Sequence, residues 1–224
     1  MAQSSLHDAF IDELRDTYDA EKQLTKVLPR MAKAASSANL RSAIEAHLQE
    51  TRGQVDRLSR VFESIGEKAR GKHCDGMAGI IEEGKATLGE DADDPTMDAR
   101  LIAAAQRAEH YEMAAYGTLV AWAQAMGHDQ AAQLLQETLD EEKAADEKLT
   151  ALAEGGINRQ AAQLAHGGTD EMTEPAKQSA STRGASARAA GTSRTAAPAR
   201  KAARPPARKP ATTMARRRVA PRTR

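Results

Sequence analysis

Residues 101–126, LIAAAQRAEHYEMAAYGTLVAWAQAM, decide how the chain is read. Taking Ile102, Ala105, Glu109, Glu112, Tyr116, Leu119, Ala123 and Met126 as one face gives alternating steps of three and four residues, the spacing of a buried helical stripe. Two glutamates fall in the middle of it. A buried unpaired carboxylate is expensive, and a second one a turn away adds like-charge repulsion. The seam therefore calls for a cation, a shared proton or a buried basic partner.

Working outward, three more segments carry the same pattern. Over 6–35, Phe10, Leu14, Thr17, Glu21, Leu24, Leu28 and Met31 form a stripe with Glu21 at its centre, and Pro29 predicts a kink near its end. Over 40–65 the stripe is Leu40, Ile44, His47, Thr51, Gln54, Leu58, Val61 and Ile65, with Asn39 as the expected N-cap, Glu50 bordering the same face and Gly66 as the stop. Over 129–153, Ala131, Leu134, Leu135, Thr138, Glu142, Ala145, Leu149 and Leu152 point one way, with Asp129 as the expected cap and Gly155-Gly156 as the end. The third long helix is expected over 98–126, stopped by Gly127. Residues 66–97 read as a crossover with one short helix over 77–88, and 157–164 as a short fifth helix. No stretch alternates with period two. Hairpin, long connection, hairpin is the layout of an all-α, ferritin-like four-helix bundle with one long crossover.

The zero net charge conceals two different segments. Residues 175–224 hold 14 Lys and Arg and no Asp or Glu, which leaves 18 basic against 32 acidic residues in 1–174. The expected division is a helical bundle over 1–168 and a basic tail over 169–224, rich in Ala, Pro, Arg and Lys and too poor in large apolar residues to fold alone. Such a cationic, acid-free tail predicts salt-dependent, sequence-independent contact with nucleic acid through 175–224. No apolar run is long enough to span a membrane and no signal-peptide layout precedes the first helix, so a cytoplasmic location without membrane association is expected. The single cysteine, Cys74, excludes a disulfide framework and a Cys-rich metal site.

Each long helix brings acidic or imidazole groups inward at mid-length: Glu21, then His47 and Glu50, then Glu109 and Glu112, then Glu142 with Asp146. Taken singly, an inward Glu is commonly a boundary residue and a lone His a satisfied core group. The coincidence across four helices points instead to a pair of cations. Hard oxygen donors with few imidazoles suit iron or manganese better than zinc or copper. Within the acidic run Glu141, Glu142 and Asp146, Glu142 is favoured because its phase matches Leu135 and Leu149. Tyr18, Tyr111 and Tyr116 read as packing residues, with Tyr116 also placed to hydrogen-bond a ligand. His73 and Cys74 receive no chemical role.

The stretches Asp12-Glu13-Leu14 with Asp19-Ala20-Glu21-Lys22-Gln23-Leu24, His47-Leu48-Gln49-Glu50-Thr51, Lys72-His73-Cys74 with 77–84, Glu109-His110-Tyr111-Glu112 and Leu139-Asp140-Glu141-Glu142-Lys143 resemble the YciF/YciE-type family of ferritin-like bacterial stress proteins. The resemblance covers about residues 5–165. It implies a fold similar to rubrerythrin and the manganese catalases, two iron or manganese ions, and a homodimer. Against the rubrerythrin pattern, Glu21, Glu50, Glu109, Glu112 and Glu142 match its glutamates, while Gly53 and Ala145 stand where it has histidines. His47, Gln54 and Asp146, each one turn from a matching glutamate, would substitute, which gives the metal set Glu21, His47, Glu50, Gln54, Glu109, Glu112, Glu142 and Asp146. Two functions follow as expectations: a di-metal redox protein that consumes peroxide or oxidises ferrous iron, or a non-catalytic dimeric stress scaffold whose tail binds nucleic acid.

Overall fold

The computed structural model describes residues 5–89 and 92–166; the basic tail lies outside the described residues. Among the described residues six α-helices follow one another: α1 (Leu6–Ala34), α2 (Ala38–Ser64), α3 (Asp75–Leu88), α4 (Asp94–Ala125), α5 (Asp129–Leu152) and α6 (Asn158–Ala165). There is no strand among the described residues. Short three-residue turns join α1 to α2 and α4 to α5, so each pair runs antiparallel, and the long connection between them carries α3. Helix α2 packs on α5 and α1 on α4, closing the four long helices into a bundle, while α3 lies against α4 and α1.

The helix ends show where local chemistry sets the boundaries. Ser5 and Asp8 form a reciprocal capping box at the start of α1. Helix α2 begins one residue before the expected cap Asn39: Ser37 is the N-cap, and its hydroxyl accepts from the Leu40 amide at 3.4 Å. Helix α4 begins earlier than the stripe suggested, because the Asp93 carboxylate caps the Thr96 amide and Pro95 fits the first turn, where its missing N–H costs nothing. For α5 the cap position is His128 with no side-chain bond, and Asp129 lies instead inside the first turn. Gly66 and Gly127 adopt φ of 75° and 74° just past the ends of α2 and α4, a left-handed conformation that glycine takes without strain. Gly156, at φ 151°, lies in the wide turn Ala153–Ile157 that leads into α6. Pro29 sits on the exposed side of α1, which continues through it to Ala34.

The bundle interior is divided into two apolar halves. One contains Leu24, Leu28, Leu40, Ile44, Leu101, Ile102 and Leu149. The other contains Phe10, Leu14, Leu58, Phe62, Leu119 and Leu135. Between them lies a polar belt of Thr17, Glu21, His47, Thr51, Gln54, Glu109, Glu112, Thr138 and Glu142, every one of them buried. The belt is the mid-height interruption seen in all four stripes.

Candidate metal centre

The four long helices aim their interrupting residues at one another. One ligand atom from each of His47, Glu109, Glu112 and Glu142 lies within 4.8 Å of the others, and all four residues are buried. This buried cluster of one imidazole and three carboxylates can hold a metal ion. Helix α1 adds Glu21, fully buried, whose Oε1 accepts from the Tyr116 hydroxyl at 2.5 Å. His47 Nε2 lies 3.2 Å from Glu109 Oε1, and its Nδ1 lies 3.6 Å from Glu50 Oε2.

Burial and mutual repulsion dominate the electrostatics. Loss of water pushes Glu109 up to about 11, with Glu142 the next contributor. Glu21 and Glu112 are raised well above the ordinary carboxylate range, first by burial and then by the other carboxylates of the belt. Glu142 is raised by burial, which the adjacent Glu109 carboxyl and the nearby His47 oppose. The Tyr116 hydroxyl is raised by burial and by Glu21. Without a bound cation the cluster is therefore driven to hold protons at neutral pH.

Six carboxylate oxygens here are buried with no hydrogen-bond partner: Glu21 Oε2, Glu109 Oε2, both of Glu112 and both of Glu142. Asp98 on the same helix α4 gives the contrast. It is as deeply buried, yet it accepts from the Ser36 amide, the Ser36 hydroxyl and the Ser37 amide at 2.6–2.8 Å, holding the α1–α2 turn against α4. Folded chains satisfy buried oxygens with nearby donors almost everywhere, so this set, which has only protons of its own or a bound cation to satisfy it, is where a metal ion could be held.

The remaining expected site residues lie around this core. Gln54 is buried and donates to Glu141 at 3.1 Å, leaving its own Oε1 without a donor. Glu50 is half exposed at the rim, and the His47 imidazole 3.6 Å away holds its carboxyl below the usual range. Asp146 is not among the clustered ligand atoms and accepts from Gln106 at 3.1 Å, with His110 Nε2 at 3.3 Å. Glu141 lies beside the cluster but takes both arms of the Arg57 guanidinium at 2.7 Å. Arg57 also donates to Thr138 and so closes one side of the belt.

Sequence reasoning passed over Arg57. The available signal was its position one turn beyond Gln54 on α2. Cys74 and Tyr111 also have roles it did not assign. The Cys74 thiol, fully buried, caps α3 by accepting from the Met77 amide at 3.3 Å, and it lies 3.0 Å from the Tyr111 hydroxyl, which donates to Asp16. Asp19 accepts from the Cys74 amide and from Gln23, so the crossover is stitched to α1 next to Glu21.

Comparison with known proteins agrees with this architecture. A family profile described as "Domain of unknown function (DUF892)" matches residues 5–162. Protein YciF of Escherichia coli strain K12 is 47% identical over 162 residues, covering 72% of this chain and 98% of that protein. The crystal structure of the E. coli stress protein YciF superposes with a TM-score of 0.68 at 47% identity over 70% of this chain and 99% of that one. The YcfI structure from Rhodopseudomonas palustris gives 0.65 at 44% identity over 66% and 94%. A protein from Xanthomonas campestris, 21% identical with a TM-score of 0.57 over 72% of this chain and 99% of that one, shares the fold. The chain therefore belongs to the DUF892 family and is of the YciF type.

Proposed function

We propose that the belt is a dinuclear iron or manganese carboxylate site in a stress-related protein that consumes peroxide or oxidises ferrous iron. The observation that carries this reading is the set of six buried oxygens without donors. Glu112 and Glu142, each with both oxygens unpartnered, would hold the ions, together with Glu21, Glu109 and His47, each of which has one atom without a partner. Gln54 offers a further buried oxygen, and Glu50 and Asp146 stand one turn outside. The donor set is hard and poor in imidazole, which suits iron or manganese. Bound ions of either metal would supply the electrons and the Lewis acidity for peroxide chemistry.

The chain's own residues do the rest. His47 Nε2, facing Glu109 Oε1, is placed to move a proton into or out of the cluster, with the Glu50 carboxylate 3.6 Å from Nδ1 on the rim side. Tyr116 holds Glu21 in place by its hydroxyl hydrogen bond. The two apolar halves of the core keep bulk water from the belt above and below. That E. coli YciF is described as a stress protein agrees with the role. Anaerobic loading with ferrous or manganous salt, followed by addition of hydrogen peroxide, tests it: loaded protein should consume peroxide, and the Glu112→Gln variant should not. Equal consumption by both would overturn the assignment.

A second reading rests on the charge division. The 14 cations of 175–224, with no acidic neighbour, fit a phosphate backbone, so the bundle would serve as a dimeric scaffold that a basic tail attaches to nucleic acid. Removing 175–224 should then abolish duplex-DNA binding at low salt and leave metal content unchanged. Undiminished DNA binding by the truncated chain would contradict this reading.

A further inference from the structure

A cavity of about 170 Å³ runs inward from the groove between α2 and α5 and ends on the cluster. Its floor is formed by His47 and Glu109, both buried, and its walls by Leu28, Ile44, Ala105 and Leu149. Its mouth carries the exposed Lys148 and the half-exposed Glu50. The space exists because small side chains stand where large ones would close it: Ala43, Ala105, Ala144 and Ala145 all line it. Ala145 is three residues after Glu142, on the turn from which a longer side chain would fill the approach to the cluster.

We infer that this cavity seats a compact hydrocarbon bearing one neutral hydroxyl or hydroperoxyl end, with that end against His47 and Glu109. The inference rests on the reading of the cluster as the reacting centre. Size sets the upper limit, since a dry apolar cavity of about 150 Å³ accommodates benzene. Wall chemistry sets the body: between mouth and floor the lining is Leu28, Ile44, Leu149 and four alanines, with Glu141 the one acid among them and already held by both arms of Arg57, so a polar group buried along the way would go largely unpaired. Floor chemistry sets the end group. The imidazole can donate to or accept from a hydroxyl, whereas an ionised carboxylate would shed its water at a buried floor of His47 and Glu109 that holds no lysine or arginine to pair it. Alcohols, phenols and organic hydroperoxides share this chemistry, and a bare peroxide would leave the apolar walls unused.

The test uses the full metal-free chain and benzyl alcohol as the probe, with toluene and benzoate as controls. Titration should perturb the methyl signals of Ile44 and Leu149, saturate with benzyl alcohol, be weaker with toluene and be absent with benzoate. Ala145→Leu should weaken benzyl alcohol binding at least about tenfold, equivalent to about 1.4 kcal/mol, while metal uptake by that variant stays at the wild-type level. Adding tert-butyl hydroperoxide to the same titration separates the two sources: competition with benzyl alcohol supports the hydroperoxide as occupant, and benzyl alcohol binding without competition restricts the occupant to alcohols and phenols. Non-saturating perturbation, or binding unchanged in Ala145→Leu, overturns the inference. Because the probe experiment needs no metal, saturable binding in a chain that takes up no metal would uphold the cavity and remove the redox reading, and metal uptake without probe binding would do the reverse.

Discussion

Replacing Glu109 with Gln should take one proton's worth out of the pH dependence of the metal-free protein's stability, leaving the shares of Glu21, Glu112 and Glu142. Glu109 is 2% exposed, and burial together with Glu142 pushes its carboxyl from an ordinary 4.5 up to about 11. Between those values the folded chain keeps a proton that the unfolded chain has released, so rising pH favours unfolding. The penalty is absent below the unfolded value, grows through neutrality and levels off above the folded one. One retained proton gives a slope of about 1.4 kcal/mol per pH unit and a total of about 3 kcal/mol by pH 7. Gln holds no such proton. Its amide costs about 1–3 kcal/mol where it is left unpaired, so the slope and not the absolute stability is the readout. Urea unfolding of both proteins with a chelator present, across about pH 5 to 8, should show the wild-type stability falling relative to Glu109→Gln by about 1.4 kcal/mol per pH unit. A difference that stays constant over this window would refute the electrostatic account of the belt.

Other perturbations test the parts around it. Tyr116→Phe removes the donor to Glu21 and should cost about 1–3 kcal/mol in the metal-free protein; an unchanged urea midpoint would show that this bond contributes nothing. A Cβ at residue 76 would sit 2.7 Å from the Tyr111 ring, so Gly76→Ala should displace the crossover at a cost of about 1–3 kcal/mol, read as a lower melting temperature. The Cys74 thiol is fully buried, and burial raises its pKa, so a thiol reagent should label it in denatured protein and leave the native chain unmodified; Gly76→Ala should open it to labelling. Native labelling of the wild type at the denatured rate would contradict the packing described.

The bundle and the height of the site were legible because each long helix shows a three-four stripe interrupted by polar residues at its middle, and the phase of that stripe separates neighbours. Glu142 is fully buried while Glu141 is drawn to Arg57, as helical phase demands. Phase alone does not place Asp146. It stands four residues after Glu142, on the same turn face by spacing, but Gln106 and His110 of α4 compete for its carboxylate, and that competition exists only once α4 and α5 are packed. The cap of α2 was misplaced at Asn39 for a different reason: Ser37 caps the helix instead, and the buried Asp98 fixes that start by accepting from the Ser36 and Ser37 amides, a contact made only once α4 is packed. Cys74 escaped notice as a cap because a thiol is a weak acceptor, adequate here because Asp19 and Gln23 also hold its backbone. The cavity beside His47 depends on four alanines from three helices, a juxtaposition no single stripe displays.

The measurement that bears most directly on the central claim is elemental analysis of the full chain, purified anaerobically and reconstituted with ferrous or manganous salt, beside Glu112→Ala. The account predicts about two iron or manganese ions per chain, lost in the variant. No bound metal in either protein after reconstitution would contradict it and leave the belt as a protonated carboxylate core.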